Sequence, residues 1–251
     1  MNTFKPCHKF IPVLFALGPS LLLASSAQAS SSFDSSAALS YTINSITNND
    51  NAGSLAGLAI TGSFDLAAAP DYSVDLSGDG AVFGNNPSTG NVAINPILTG
   101  TAFSHSFSVS GSASAGSANT SQLGLFGLNF KNTGSENYTI SLSLNYQLNS
   151  TVGGQLADSS VALDFFNETS SFTGSKRVDA SVFSLENAAL NATSDIFSFT
   201  LAPGTNETLY ADVNITGNLS ASAVPLPASF WLLFAGLSGI VSVGKGRRQQ
   251  A

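Results

Sequence analysis

The segment Asp75-Leu-Ser-Gly-Asp-Gly80 carries the residue types of the first half of a calcium-binding loop. Such loops place oxygen ligands at positions one, three and five and a glycine at position six, where the chain turns sharply. Asp75, Ser77 and Asp79 fit these three ligand positions. Position twelve is Asn86, which cannot provide the bidentate carboxylate that completes the coordination shell.

A hairpin turn is the alternative interpretation of this segment. It would follow a predicted strand over residues 72–76, and no helical pattern flanks the segment as a helix–loop–helix calcium site requires. We therefore favour the turn and keep calcium binding by Asp75, Ser77 and Asp79, with Asp71 nearby, as the weaker hypothesis. The sequence predicts no other cofactor and no other metal.

His105 is the only histidine after residue 29 and is the second candidate for chemistry, as a general base or a metal ligand. It alternates with Phe103 and Phe107 on the apolar face of a predicted strand, and no acidic residue is near it in sequence. The chain has no Gly-x-Ser-x-Gly turn, although the members of a Ser-His-Asp triad need only meet in space. The pattern favours a structural histidine in a protein that is not an enzyme.

The tyrosines could form a platform on which sugar rings stack. Tyr41, Tyr72, Tyr138 and Tyr146 alternate with apolar residues, however, which predicts that they pack in or beside the core. Tyr210 falls on the polar side of its strand and is the exception.

The charge of the central region excludes one class of partner. Between Ser30 and Ala223 three basic residues stand against fifteen acidic ones, a net charge of −12. Nucleic acid is disfavoured because binding its phosphates requires Lys and Arg. The single cysteine, Cys7, lies near the N-terminus. The region after residue 29 therefore has no cysteine to form a disulfide or to carry a lipid at its N-terminus.

Alternation with a period of two residues dominates residues 30–223 and predicts β-strands. The longest example is Tyr138 to Leu148, where apolar residues alternate with Thr, Ser, Asn and Gln. Gly- and Asn-rich turn segments separate about nine such strands, an arrangement typical of an antiparallel β-sandwich or jelly-roll-like domain. The predicted strands lie at 39–43, 58–66, 72–76, 103–109, 138–148, 161–165, 178–185, 197–201 and 209–215.

Two segments lack a core-forming pattern. Residues 111–121 consist of small and polar residues, which predicts an exposed loop or a flat edge segment. Residues 219–223 continue the last strand and then lose its alternation, which predicts a short spacer before the proline motif.

The N-terminal residues 1–29 have the features of a secretory signal peptide. Lys5, His8 and Lys9 are basic, an apolar stretch follows, and Ala27 and Ala29 provide the small-x-small cleavage pattern. The sequence therefore predicts export by the Sec machinery, cleavage by signal peptidase and a β-sandwich ectodomain over 30–223.

Residues 224–251 combine three features. The motif Val224-Pro225-Leu226-Pro227-Ala228 is rigid and extended, because each proline fixes its own backbone and restricts the residue before it. A short transmembrane helix is predicted over 228–244, with Trp231 at one membrane interface. The basic residues that follow, Lys245, Arg247 and Arg248, favour the cytoplasmic side.

This order of motif, apolar helix and basic cluster resembles the PEP-CTERM sorting signal of Gram-negative bacteria. Leu226 stands where the name-giving motif has an acidic residue, which matches the Val-Pro-Leu-Pro variant of the signal and leaves the subtype of the processing enzyme open. The resemblance covers 224–251 and does not concern the fold of the rest of the chain.

The resemblance implies a substrate of an exosortase, a membrane-embedded cysteine protease. Such a protein is exported, held transiently in the inner membrane, then cut and delivered to the cell surface. It would be a structural or adhesive component of an exopolysaccharide biofilm or floc, with exopolysaccharide or other matrix proteins as partners. The alternatives are a secreted carbohydrate-binding module, assisted or not by calcium, and a surface protein permanently anchored in the membrane.

Overall fold

The computed structural model describes residues 30–66, 72–84, 88–184 and 187–222, which contain thirteen β-strands and no helix. The predicted signal peptide, with Ala27 and Ala29, and the predicted sorting segment 224–251 lie outside the described residues. The strands are β1 (Ser31–Asn48), β2 (Leu58–Leu66), β3 (Tyr72–Gly78), β4 (Ala81–Phe83), β5 (Ser88–Ala93), β6 (Ala102–Ala113), β7 (Gly116–Asn132), β8 (Tyr138–Gly153), β9 (Leu156–Asn167), β10 (Thr173–Ser181), β11 (Ala188–Thr193), β12 (Phe197–Leu201) and β13 (Asn206–Ala221).

The strands form two antiparallel sheets. The six-stranded sheet has the order β11-β8-β1-β6-β4, and β12 continues the β11 edge along β8. The seven-stranded sheet has the order β10-β9-β13-β7-β2-β5, and β3 pairs with the first half of β7. The prediction of an all-β protein with antiparallel sheets is confirmed.

Alternation along the strands builds one core between the sheets. In β8, Tyr138, Ile140, Leu142, Leu144 and Leu148 are fully buried, whereas the residues between them are more polar and reach the other face. Burying one side of the long strands removes apolar surface from water, the dominant stabilising contribution in such a fold.

Aromatic rings join the two sheets across this core. Phe126 of β7 stacks on Tyr41 of β1 with ring centroids 5.3 Å apart and on Phe103 of β6 at 4.9 Å. All three side chains are buried. The stack therefore fixes the spacing of the sheets near their centre.

The prediction that residues 111–121 form a loop or a flat edge segment is wrong. Gly111 to Ala113 end β6, and Gly116 to Ser121 begin β7, which pairs with β13 on one side and β3 on the other. Gly111 has to be small because the ring of Phe33 fills the space between the sheets at this position. A Cβ added at Gly111 or at Gly217 would overlap that ring.

The prediction that the segment from residue 219 first continues the last strand is confirmed as far as Ala221. β13 continues to Ala221 and pairs with β7, and both Leu219 and Ala221 are buried. The predicted strand over 178–185 ends earlier, since β10 spans Thr173–Ser181. Four strands were not predicted, namely β4, β5, β7 and β11.

Candidate functional site

Asp79 of the calcium-loop segment caps a turn. Its Oδ1 accepts hydrogen bonds from the backbone N–H groups of Ala115 at 2.8 Å and Ser114 at 2.9 Å, in the hairpin between β6 and β7. These two hydrogen bonds lower the pKa of Asp79, because they stabilise the charged carboxylate. The backbone N–H of Gly80 donates to the carbonyl of Ser77 at 3.0 Å, which closes a turn at the end of β3.

The other two candidate ligands, Asp75 and Ser77, lie on β3, beside the paired strand β7. Asp75 is in register with Asn119 of β7, and the hydroxyl groups of Ser77 and Ser117 are 2.8 Å apart. Within the described ranges, no group of three or more His, Cys, Asp or Glu side chains is placed to hold a metal ion. Asp71 and Asn86 lie outside these ranges. This geometry favours the hairpin turn.

His105 packs as an aromatic side chain between the sheets. Its ring stacks on Phe64 with centroids 3.9 Å apart, and the ring of Phe107 contacts it edge-on at 4.7 Å. Desolvation in this partly buried position lowers the pKa of His105, which favours the neutral imidazole at pH 7. The contacts match the predicted structural role.

The tyrosines divide as the alternation predicts. Tyr41, Tyr138 and Tyr146 are buried, and the side chain of Tyr72 lies outside the described part of the chain. Tyr210 is 36% exposed on the outer face of the seven-stranded sheet.

Tyr210 does not stand alone on that face. Its ring stacks on Phe166 of β9, with centroids 5.3 Å apart and the planes inclined by 27°. The two residues are direct cross-strand partners. We call this pair the aromatic platform.

The next residue in the same row has no side chain. Gly127 of β7 is the partner of Tyr210 on one side and of Ser63 on the other. A Cβ added at Gly127 would meet only the Ser63 hydroxyl, at 2.8 Å, and the Leu209 carbonyl oxygen, at 3.4 Å, within 4 Å. Gly127 itself is buried, with the Ser63 hydroxyl beside the position of the missing Cβ, so the surface next to the Tyr210 ring is formed by a glycine and a serine. We call this low part of the surface the Gly127 trough.

Polar side chains border the platform and the trough in the adjacent rows. On one side, Asn129 Nδ2 donates to the Thr208 hydroxyl at 2.7 Å. On the other side, Asp212 and Asp164 are direct cross-strand partners. The pKa of Asp212 is raised, first because the carboxyl group is partly desolvated and second because Asp164 carries a like charge.

Phe166, Asp164 and Asp212 were not predicted as site residues. The signal was present at Phe165-Phe166, because two consecutive residues of a strand face opposite sides and one ring must therefore point outward. That Phe166 meets Tyr210 depends on the register of β9 with β13, which the sequence does not specify.

A second concave surface lies at the open edge of the sandwich between β10 and the β11–β12 segment. It is a cleft of about 340 Å³ with an aromatic floor and a polar rim. Its lining includes Tyr146, Phe165, Phe172, Phe197, Lys176 and Asp195. Most of the aromatic floor belongs to the buried core, so the rings offer little surface to a ligand.

The outer face of the six-stranded sheet is mainly a lattice of hydroxyl and amide groups, with the exposed Asp34 as the charged residue of its strands. Asn145 Nδ2 donates to the Thr42 hydroxyl at 3.0 Å, and the Thr193 hydroxyl donates to Asn145 Oδ1 at 2.7 Å. The Ser104 and Ser40 hydroxyl groups are 2.8 Å apart on the same face. These groups largely satisfy one another.

Comparison of the chain with protein-family models, with curated proteins and with solved structures finds no match. The described ranges contain no helix that is long and apolar enough to cross a membrane. The predicted sorting residues Val224, Pro225, Leu226, Pro227 and Ala228, and the predicted anchor residues Trp231, Lys245, Arg247 and Arg248, lie outside those ranges.

Proposed function

We propose that this chain is an exported protein of the cell surface or extracellular matrix, sorted by an exosortase-type protease through residues 224–251. Its role would be structural or adhesive, in an exopolysaccharide biofilm or floc, and not enzymatic. The observation that carries the proposal is the order of three features: the motif 224–228, the apolar segment 228–244 and the basic residues 245–248.

The length of the apolar segment supports a temporary anchor. The uninterrupted run from Ala228 to Val243 has 16 residues. As a helix it would span about 24 Å, at about 1.5 Å per residue, whereas the hydrocarbon core of a bilayer is about 30 Å thick. Such a segment can hold the protein in the inner membrane, but less firmly than a full-length span.

The ectodomain suits an extracellular, hydrated environment. Its sheets are stable without disulfides because the core between them is continuous, and the outer faces carry many serine, threonine and asparagine side chains. With a net charge of −12 between residues 30 and 223, it would remain soluble among matrix polymers. Sec export and signal peptidase would act before sorting.

Replacing both Pro225 and Pro227 by Ala tests the sorting role. In a bacterium that has an exosortase, we expect the double variant to stay in the inner membrane with residues 224–251 attached, because the rigid extended motif would be lost. Cell fractionation and the intact mass of the protein measure this. Pro203→Ala, in an exposed turn of the ectodomain, is the matched control and should be processed normally.

Two results would contradict the proposal. Surface release of the double variant with a normal mass would show that the motif is not read. Wild-type protein whose intact mass retains residues 224–251 would instead identify a permanently anchored surface protein.

A further inference from the structure

We propose that the aromatic platform of Phe166 and Tyr210, together with the Gly127 trough, binds the pyranose rings of a neutral polysaccharide. The inference deepens the matrix role proposed above, and rests on it, by naming the class of partner that the ectodomain holds. It concerns a surface outside both the sorting segment and the cleft.

The platform offers an exposed aromatic surface. Tyr210 is 36% exposed although it lies in the middle of a sheet, and Phe166 supports its ring from the neighbouring strand. An aromatic ring offers an apolar face with a polar edge, and the hydroxyl group of tyrosine adds a hydrogen-bonding group at its rim. The C–H groups on one face of a pyranose match such a surface.

The second feature is the space beside the ring. Gly127, between Tyr210 and Ser63 in the row, has no side chain and is buried, and the Ser63 hydroxyl lies 2.8 Å from the position that its Cβ would take. Only a short side chain therefore stands beside the Tyr210 ring on this side. Neighbouring strands are about 4.8 Å apart and alternate residues of a strand about 7 Å apart. A pyranose can lie above the glycine and the serine with one face against the Tyr210 ring.

The third feature is the set of polar groups around that space. Asp212 provides carboxylate oxygens that accept hydrogen bonds, Asn129 provides an amide with both donors and acceptors, and Thr208 and Ser63 provide hydroxyl groups. Sugar hydroxyl groups both donate and accept, so this mixture suits them. A wholly apolar ligand would remove water from these polar groups without offering them hydrogen bonds in return.

The charges select a neutral polymer over an acidic one. Asp164, Asp212 and Asp65 lie in one row across the sheet, beside the platform and trough. The basic side chains on this outer face are Lys131, four residues from Gly127, and Arg177, which forms an ion pair with Asp179 at 2.7 Å. Carboxylates repel the uronate or sulfate groups of acidic polysaccharides.

Affinity electrophoresis of the full chain tests the inference. The chain would be produced in a host without an exosortase, purified in a mild detergent, and run through gels that contain dextran, laminarin, galactomannan, xyloglucan or alginate. We expect at least one of the four neutral polymers to retard it and alginate not to retard it.

The variants locate the site. Tyr210→Ala should weaken the retardation about tenfold or more, which corresponds to about 1.4 kcal/mol. Tyr210→Phe, which keeps the stacking surface, should retain most of the binding. Phe183→Ala is the matched control, because Phe183 is 79% exposed at a distant turn and its loss should leave binding unchanged. Melting temperatures would show that all variants are folded.

Three outcomes would overturn the inference. The first is the absence of retardation by all four neutral polymers, and the second is equal or stronger retardation by alginate. The third is binding that survives Tyr210→Ala but is lost in the cleft variant Lys176→Gln. None of these concerns processing of residues 224–251, so the sorting proposal would stand or fall separately.

Discussion

The two outer faces of the sandwich share one pattern of alternation and carry different chemistry. In the strands of the six-stranded sheet Asp34 is the one charged residue, and the exposed face consists of hydroxyl and amide groups that bond to one another. The strands of the seven-stranded sheet carry ten charged residues, and their outer face also carries the aromatic platform. Burial therefore determines the residue types on the inner side of each strand, whereas the residue types on the outer side can differ between the two sheets.

A second difference follows from the bonding within each face. On the six-stranded sheet several hydroxyl and amide groups form hydrogen bonds with groups of the same kind on the next strand. On the seven-stranded sheet Asp212 and Asp164 carry like charges in adjacent strands, and Tyr210 lies beside a glycine. Unequal neighbours of this kind are where a specific ligand can be recognised.

The largest expected effect comes from a substitution in the core, which supports both outer faces. Phe126→Ala would delete the ring that stacks on Tyr41 and Phe103 between the sheets. We expect the free energy of unfolding to fall by about 3–5 kcal/mol, because a large buried side chain is replaced by a cavity. Urea unfolding followed by tyrosine fluorescence measures this.

The matched control for this prediction is Phe183→Ala, at a ring that is 79% exposed. Its effect should stay within about 0.5 kcal/mol, as is usual for surface substitutions. A loss below about 1 kcal/mol for Phe126→Ala would show that the central stack does not hold the sheets together.

The alternation of apolar and polar residues was enough to predict the fold class. Runs such as Tyr138 to Leu148 have one interpretation, since only a strand places every second residue on the same face. β7 was missed because its first half is made of small residues and its second half contains Gly124 and Gly127. Gly124 is explained by the ring of Phe107, which comes from the other sheet, and Gly116 by the backbone of β3 at Ser77 and Gly78.

The candidate site could not be predicted in full, because the pattern within one strand does not show which residues of other strands lie beside it. The exposure of Tyr210 follows from its own alternation, and it was predicted. Its contacts with Phe166 and the trough at Gly127 follow from the register of three strands that are distant in sequence. Sequence patterns specify which face a residue occupies, whereas register and strand order decide which residues meet there.

A smaller effect, opposite in sign, is expected from Asp212→Asn. The raised pKa of Asp212 means that the folded state holds this proton more tightly than the unfolded state, whose aspartates titrate near pH 3.9. The contribution of Asp212 to stability is therefore fully present below about pH 4 and is lost as the pH rises through the higher pKa of the folded state. Asparagine cannot ionise, so the variant should be more stable than the wild type at pH 7.

Urea midpoints at about pH 4 and pH 7 measure this difference. The wild type and Asp212→Asn should converge in stability at the lower pH. Asp164→Asn should give part of the same gain, because it removes the smaller cause of the raised pKa. Asp34→Asn, whose neighbours in register are Ser110 and Thr151, is the control on the other face. An Asp212→Asn variant that is less stable at pH 7 would contradict the prediction.

The smallest expected effect concerns the hydroxyl and amide lattice of the six-stranded sheet. Asn145→Ala would remove the hydrogen bonds to Thr42 and Thr193. Both partners are within reach of solvent, and water can replace the lost amide, so we expect a loss below about 1 kcal/mol. Polysaccharide binding should not change. A loss of about 2 kcal/mol or more in urea unfolding would mean that the lattice acts as a cooperative network, and a loss of binding would move the recognition surface to this face.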